Sequence, residues 1–278
     1  MKPTFAILLS LMFPAAAAAQ AISPSVASAS PATDNPAGAI VESPSDARDA
    51  GRKIPIVAYA YTAYGASAKT IGVQAYSLGL LAADQDRVLG GGAAIWWAPI
   101  ERLTLVVDGQ RNVSRDFAPS AAGIVRLYGN GREGLSLGAL GKFKIDGFGK
   151  GRDGDEVESE LEVGALASFV ASRLYLDANA MGGQGLGDDG ETDAEARLRL
   201  GYDLGSNVRF GLDGQARVRV RGPRLLPNGR TWDFAVGPQV MACFAHWFGA
   251  FTAGPTTMGL ISKNVGGVAM LSVGGTVF

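Results

Sequence analysis

The alternation of polar and apolar residues is most regular between residues 191 and 222. Here the even-numbered positions carry no charge, whereas the charged side chains all fall on odd numbers. Because successive side chains of a β-strand point to opposite faces, this pattern predicts two strands, each with one apolar and one polar face. Gly205, Ser206 and Asn207 lie between them and predict the turn of a hairpin.

The polar faces of this hairpin also match in charge. If the strands pair symmetrically about Ser206, each opposed pair joins an acid to a base. These pairs are Asp203 with Arg209, Arg199 with Asp213, Glu195 with Arg217, Asp193 with Arg219, and Glu191 with Arg221. Such pairs stabilise a sheet by roughly 0.2–1 kcal/mol each, and a slip of one residue would move the charges to the apolar face. The charge pattern therefore predicts this register.

The same alternation recurs along most of the chain. It predicts further strands at residues 70–82, 88–98, 102–110, a stretch ending near 128, 135–146, 158–171, 174–181, 231–244, 247–257 and 266–278. Short turns and longer polar loops alternate between these strands from residue 88 onward. Together with the hairpin they indicate about 12 strands, and counts of about 10 or 14 remain open alternatives.

Aromatic residues gather beside the short turns. They are Trp96, Trp97, Tyr128, Phe169, Tyr202, Phe210, Phe244, Trp247 and Phe248. Transmembrane β-barrels combine short turns at one end, longer loops at the other and aromatic residues at both membrane interfaces. We therefore expect an all-β fold, a closed antiparallel transmembrane β-barrel, since lipid cannot satisfy an open sheet edge. The alternative, a secreted β-sandwich, leaves the long apolar faces and the aromatic clustering unexplained.

The N-terminal region has a different composition. Residues 1–21 are typical of a secretory signal peptide, with Lys2, a short apolar run and an alanine-rich end. The apolar run is shorter than the roughly 20 residues that span a bilayer. Residues 22–53 are rich in Ala, Ser and Pro and lack periodicity, which predicts a disordered periplasmic linker. The barrel is expected at 54–278, with 54–69 as an extra strand or a plug segment.

Composition excludes several classes of function. The formal net charge of −1 gives no reason to expect a nucleic-acid partner. The single cysteine, Cys243, permits neither an intramolecular disulfide nor a cysteine metal site. The sequence therefore predicts no metal and no cofactor.

The last predicted strand has alternating side-chain polarity and ends in an aromatic residue, Phe278. In this respect residues 70–278 resemble bacterial outer-membrane β-barrel proteins, which commonly end in an aromatic residue that the assembly machinery recognises. The resemblance is one of pattern over the whole barrel region. It implies a location in the outer membrane of a Gram-negative bacterium. It also implies outer-membrane lipids, the barrel assembly machinery and periplasmic chaperones as partners, and Phe278 as the assembly signal.

The polar faces of the predicted strands supply candidate lumen-lining residues. They are Lys142, Lys144, Glu158, Glu160, Glu162, Glu195, Arg197, Arg199, Asp213, Arg217, Arg219 and Arg221. A row of guanidinium groups inside a narrow barrel selects anions unless neighbouring acids neutralise it. The leading hypothesis is a structural barrel or a narrow pore for small solutes or ions, with a charge-paired polar lumen.

Two alternatives keep the barrel and change its function. One is a lipid-modifying or lipid-hydrolysing enzyme similar to the phospholipase A or lipid A deacylase barrels, which would need the only histidine, His246, beside a serine. His246 falls in a predicted short turn, so no catalytic residue is assigned. The other is surface recognition or adhesion through the Gly- and Asp-rich loops.

Overall fold

The computed structural model describes most of the chain from residue 56 onward. The described residues are 56–57, 60–63, 66–81, 88–111, 117–130, 133–146, 158–187, 190–205, 207–222, 226, 230–244, 246–258 and 265–277. The predicted signal peptide, the predicted linker and Phe278 lie outside them. No helix among these residues is long and apolar enough to cross a membrane.

Within the described residues the chain forms β-strands with the following bounds: β1 Ile56–Val57, β2 Ala60–Tyr61, β3 Thr70–Leu81, β4 Val88–Ile100, β5 Leu103–Arg111, β6 Phe117–Tyr128, β7 Gly134–Asp146, β8 Glu158–Ala171, β9 Leu174–Gly185, β10 Thr192–Asp203, β11 Val208–Arg221, β12 Trp232–Phe244, β13 Trp247–Thr256 and β14 Gly266–Thr276. Strands β3 to β14 form one closed antiparallel barrel, in which neighbours in sequence pair and β14 pairs with β3. The prediction of a 12-stranded barrel is confirmed, and the counts of 10 and 14 are wrong.

The barrel has two distinguishable ends. At one end β3 begins, and the short turns that join β4 to β5 and β8 to β9 lie there. We call this the turn end, and we call the opposite end the loop end. Most strand bounds agree with the sequence prediction to within two residues. The exception is β9, which continues to Gly185 rather than ending near Met181 because its glycine-rich end pairs with both β8 and β10.

The predicted register of the β10–β11 hairpin is confirmed over most of its length. It runs from Asp203 opposite Arg209 to Asp193 opposite Arg219. An irregularity between Thr192 and Asp193 then shifts the pairing, so Arg221 lies opposite Thr192. The predicted pairing of Glu191 with Arg221 is therefore wrong, because an extra residue in one strand moves every later pair.

Alternation of side chains separates the two surfaces of the wall. Ile95, Val107 and Val163 are 58%, 62% and 58% exposed on the outer face, whereas their sequence neighbours Trp96 and Val106 are 2% and 1% exposed inside. A continuous apolar outer face is what a bilayer requires of a spanning barrel. The polar side chains therefore project into the interior.

The interior is divided into two chemically different regions. The inner faces of β7 to β12 carry nearly all of the charged side chains, and we call this region the charged wall. The inner faces of β13, β14, β3 and β4 carry none among the described residues, and we call this region the uncharged wall. At the loop end the uncharged wall contributes Leu80, Val268 and Met270 to an apolar cluster.

Residues 60–63 and Ala66, which we call the inner segment, lie inside the barrel rather than in its wall. Strand β2 pairs only with β1. Tyr61, Ala63 and Ala66 belong to a buried cluster with inward side chains of the wall that include Trp96 and Ile124. Since the segment leads directly into β3, it occupies the interior towards the turn end.

Candidate functional site

The candidate site is the barrel interior, and directly opposed ion pairs line one part of it. Lys142 of β7 lies opposite Glu162 of β8, with Nζ and Oε1 3.4 Å apart. Lys144 lies opposite Glu160, with Nζ and Oε2 3.5 Å apart. The first pair is buried and the second is part-buried, because the second lies nearer the loop end.

The arginines of the hairpin bind acids that the hairpin pattern alone does not indicate. Arg199 donates through Nε to Oδ2 of Asp177 on β9 over 2.9 Å, although Asp213 lies opposite it on β11. Arg217 donates through Nη2 to Oδ2 of Asp233 on β12, also over 2.9 Å. The charge pattern of a hairpin relates each strand to one neighbouring strand only. In a closed barrel every strand has two neighbouring strands, and either can supply the acid.

Three further arginines of the hairpin are also paired with acids. Arg209 donates to Asp203 over 2.7 Å, as its register position predicts. Arg197 donates through Nε to Glu195 of its own strand over 2.9 Å. Arg219 contacts both Asp193 and Glu191. The arginine row is therefore neutralised by neighbouring carboxylates at each of these positions.

The Tyr175 ring makes cation–π contacts with two of these arginines. The guanidinium carbons of Arg199 and Arg209 lie 5.7 and 5.5 Å from the ring centroid of Tyr175, within cation–π range. The Tyr175 ring lies against Gly201, where an added Cβ would overlap it. The sequence analysis missed Tyr175, and the available signal was an inward aromatic residue directly opposite a glycine.

Polar, uncharged side chains of the wall bind the backbone of the inner segment. Asn179 accepts a hydrogen bond from the Tyr61 N–H over 2.8 Å and donates to the Tyr61 carbonyl over 3.0 Å. The Ser168 hydroxyl accepts from the Ala63 N–H over 2.8 Å. The Arg197 guanidinium lies 5.0 Å from the centroid of the Tyr61 ring. Sequence reasoning missed Asn179 and Ser168, because their inward position shows in the pattern but their partner does not.

The structure places the predicted lumen-lining residues on the inner faces of β7, β8, β10 and β11. Ten of these twelve are buried or part-buried, and the other two, Glu158 and Arg221, are exposed at the loop-end limits of their strands. Asp213 lies opposite Arg199 and accepts a hydrogen bond from Gln239 of β12 over 2.9 Å.

The prediction that nine aromatic residues lie at the membrane interface is wrong for two of them. Trp96 and Phe248 are each 2% exposed and face the interior. Their sequence neighbours Trp97 and Trp247 are 47% and 49% exposed on the outer face. Consecutive residues of a strand cannot share a face, so only one member of each pair can contact lipid. Tyr128, Phe169, Tyr202, Phe210 and Phe244 are exposed.

The histidine and the cysteine lie apart from the charged wall. His246 is exposed in the turn between β12 and β13, with Nδ1 3.4 Å from the Thr276 hydroxyl. Cys243 is buried and faces inward near the same turn. Within the described ranges, no three or more His, Cys, Asp or Glu side chains are grouped in a way that could hold a metal ion.

Comparison with protein-family models and with curated proteins finds no match for the chain. Solved structures do match in fold. The NanC porin has a TM-score of 0.53 at 7% identity, covering 74% of this chain and 98% of that one. The KdgM porin in complex with disordered oligogalacturonate has a TM-score of 0.53 at 7% identity, covering 74% and 99%. The COG4313 outer membrane channel from Pseudomonas putida F1 has a TM-score of 0.51 at 12% identity, covering 80% and 99%.

At these identities the likeness concerns the fold alone. Each of the three proteins is covered almost completely, so the match is to a whole barrel rather than to a part of one. The chain therefore has the fold of bacterial outer-membrane β-barrels.

Proposed function

We propose that this chain is an outer-membrane channel of a Gram-negative bacterium, with a narrow, charge-paired lumen that carries small polar or ionic solutes. The observation that carries the proposal is the closed barrel with an apolar outer face and a charged inner wall. The outer face suits lipid, and the inner wall suits water and ions. The similarity in fold to porins and to an outer-membrane channel supports the same function.

The charged wall favours a channel over a purely structural barrel. Desolvation offsets much of the attraction in a buried ion pair, so replacing such pairs with well-packed apolar residues is often neutral or stabilising. A barrel with only a structural role could fill its interior with apolar side chains, as Leu80, Val268 and Met270 do in the uncharged wall. A polar path for solutes gives the charged wall a function that stability alone does not provide.

The solute specificity follows from how completely the charges are paired. The carboxylates beside Arg197, Arg199, Arg209, Arg217 and Arg219 cancel the positive field that would otherwise favour anions. We therefore expect weak selectivity between small cations and anions. The oligogalacturonate of the KdgM complex belongs to that protein, and the proposal for this chain extends only to small polar or ionic solutes.

The test is conductance of the purified protein in planar lipid bilayers, after heat-modifiable migration on gels has identified the folded barrel in the outer-membrane fraction. In Arg217→Ala, Asp233 and Asp193 lose a basic partner, so the lumen becomes more negative. The cation-to-anion permeability ratio, measured from the reversal potential in a salt gradient, should rise by about a factor of two.

Arg102→Ala is the matched control, since it removes the same charge from an exposed turn outside the lumen. It should leave the reversal potential unchanged. If the channels conduct but Arg217→Ala behaves like the control, the charged wall does not line the solute path. If the folded, membrane-inserted protein, its Arg217→Ala variant and a variant that lacks residues 56–66 all fail to conduct, the proposed channel function is wrong.

A further inference from the structure

We propose that the inner segment is a displaceable plug that closes the lumen towards the turn end, so that the channel opens when this segment leaves the barrel. The inference rests on the proposed channel function and adds its regulation. On this proposal, the barrel with the inner segment inside it is the closed state of the channel. Asn179 and Ser168 are then the wall residues that hold the plug.

The inner segment fills the lumen where it lies. Thr62 and Ala63 are both fully buried, although they belong to no wall strand. On one side the segment contacts Ser168 of β8 and Asn179 of β9. On another side the Ala66 N–H donates to the Thr104 hydroxyl of β5 over 3.3 Å. These hydrogen bonds, and the buried cluster that the segment forms with Trp96 of β4 and Ile124 of β6, place it across the interior beside β4 to β9, where it obstructs the lumen.

The attachments of the segment can be broken without damage to the wall. Among the described residues, the hydrogen bonds of Tyr61, Ala63 and Ala66 to β8, β9 and β5 go to the side chains of Ser168, Asn179 and Thr104. The ladders that close the barrel therefore do not depend on the segment. Water could replace the segment at each of these polar groups, because a bridging or bound water is nearly as good a partner as a direct one.

The connection to the wall limits how the segment can move. The chain passes from Ala66 to the start of β3 at Thr70, so the segment stays tethered at the turn end. Lys69 has a φ of 61° between them, in the left-handed region that non-glycine residues rarely adopt. This bend directs the chain from the lumen into the wall. Displacement would therefore occur through the turn end.

A reversible cross-link tests whether the segment must move for the channel to open. The hydroxyl oxygens of Thr62 and Ser168 are 3.2 Å apart, so cysteines at both positions place their sulfur atoms within reach of a disulfide. The cross-link is made in a Cys243→Ser background with an added oxidant, and its formation is verified on gels. Oxidised Thr62→Cys/Ser168→Cys channels should lose most of their conductance, and a reductant should restore it.

A second cysteine pair serves as the matched control. Asp108 and Ser120 lie directly opposite each other on β5 and β6, with their side-chain oxygens 2.7 Å apart. A disulfide in Asp108→Cys/Ser120→Cys joins two wall strands without holding the plug. Its conductance should be the same in oxidised and reduced forms. Equal conductance of the verified Thr62→Cys/Ser168→Cys disulfide and its reduced form would overturn the plug.

Weakening the plug should have the opposite effect. Asn179→Ala removes the hydrogen bonds to the Tyr61 N–H and carbonyl, so the open fraction in bilayer recordings should rise on the order of 10-fold. Ser136→Ala is the control, because Ser136 is a buried inward side chain opposite Ser168 on β7. It should leave the open fraction unchanged. Equal open fractions for the two variants would count against the plug.

Deletion of residues 56–66 shows whether the plug hypothesis or the channel hypothesis is wrong. If the deleted chain conducts as the full chain does and the cross-link has no effect, the plug is overturned and the channel function stands. If the deleted chain conducts and the cross-linked chain does not, both are supported. If neither the deleted chain nor the full chain conducts, the proposed function fails, and the plug inference fails with it.

Discussion

The charged and uncharged walls of the barrel differ inside and are alike outside. From β7 to β12 the inner faces carry ion pairs such as Arg199 with Asp177. On β13, β14, β3 and β4 the described inner positions are uncharged, and Trp96 and Met270 are examples. Exposed apolar residues cover both regions on the outer face, for example Val163 and Ile95. The outer face is apolar in both regions, as a bilayer would require, whereas the chemistry of the inner face differs between strands.

The contiguity of the charged wall has a physical cause. A buried charge needs a partner of opposite sign within a few ångströms, and inside a barrel that partner comes from an adjacent strand or from the same strand. Arg217, for example, reaches Asp233 on the next strand. Where the partner lies on an adjacent strand, a charged strand needs a charged neighbour, and charges therefore collect in consecutive strands. The uncharged wall meets no such requirement and can use small and aromatic residues.

Breaking a buried ion pair of the charged wall should have the largest effect on stability. The Arg199 and Asp177 side chains are each 4% exposed, so Arg199→Ala leaves a buried carboxylate without its guanidinium. We expect a loss of about 3–5 kcal/mol in the free energy of unfolding. Chemical unfolding in detergent micelles measures it. Adding Asp177→Asn should recover part of the loss, and a double variant as unstable as the single one would argue against the pair.

Overfilling the uncharged wall should have an intermediate effect. The Trp96 ring lies on Gly72, so the Cβ of Gly72→Ala would overlap the ring and force Trp96 to shift. We expect a loss of about 1–3 kcal/mol in the same unfolding measurement. Gly141→Ala is the control, since an added Cβ meets nothing within 4 Å there. Equal stability of the two variants would show that the aromatic residue does not pack as described.

Breaking the part-exposed pair of the charged wall should have the smallest effect. The Lys144 and Glu160 side chains are 15% and 25% exposed, and their closest charged atoms are 3.5 Å apart. Solvent screens this pair, so Lys144→Met should lower the free energy of unfolding by only about 0.2–1 kcal/mol. A loss as large as that of Arg199→Ala would mean that burial does not decide how much these pairs contribute.

The local alternation of polar and apolar residues predicted much of the barrel, but only for contacts between residues that are close in the sequence. The alternation in β10 and β11 predicted both strands, their faces and the register from Asp193 to Asp203, because a hairpin joins residues close in the chain. The same pattern placed Asp213 opposite Arg199 but did not indicate Asp177 of β9, which the Arg199 guanidinium contacts. Trp96 and Phe248 face the interior because the two-residue period of a strand places them on the face opposite to Trp97 and Trp247.

The amino-acid sequence by itself determined which residues form strands, which face of each strand is apolar and how the hairpin aligns. These properties depend on neighbours within one or two strands. Only the tertiary structure decided that Arg199 contacts Asp177, that Arg217 contacts Asp233 and where the inner segment lies. Closure gives every strand a second neighbour. It also brings Tyr61 to Asn179, 118 positions apart in the chain, and no local periodicity encodes a contact over that separation.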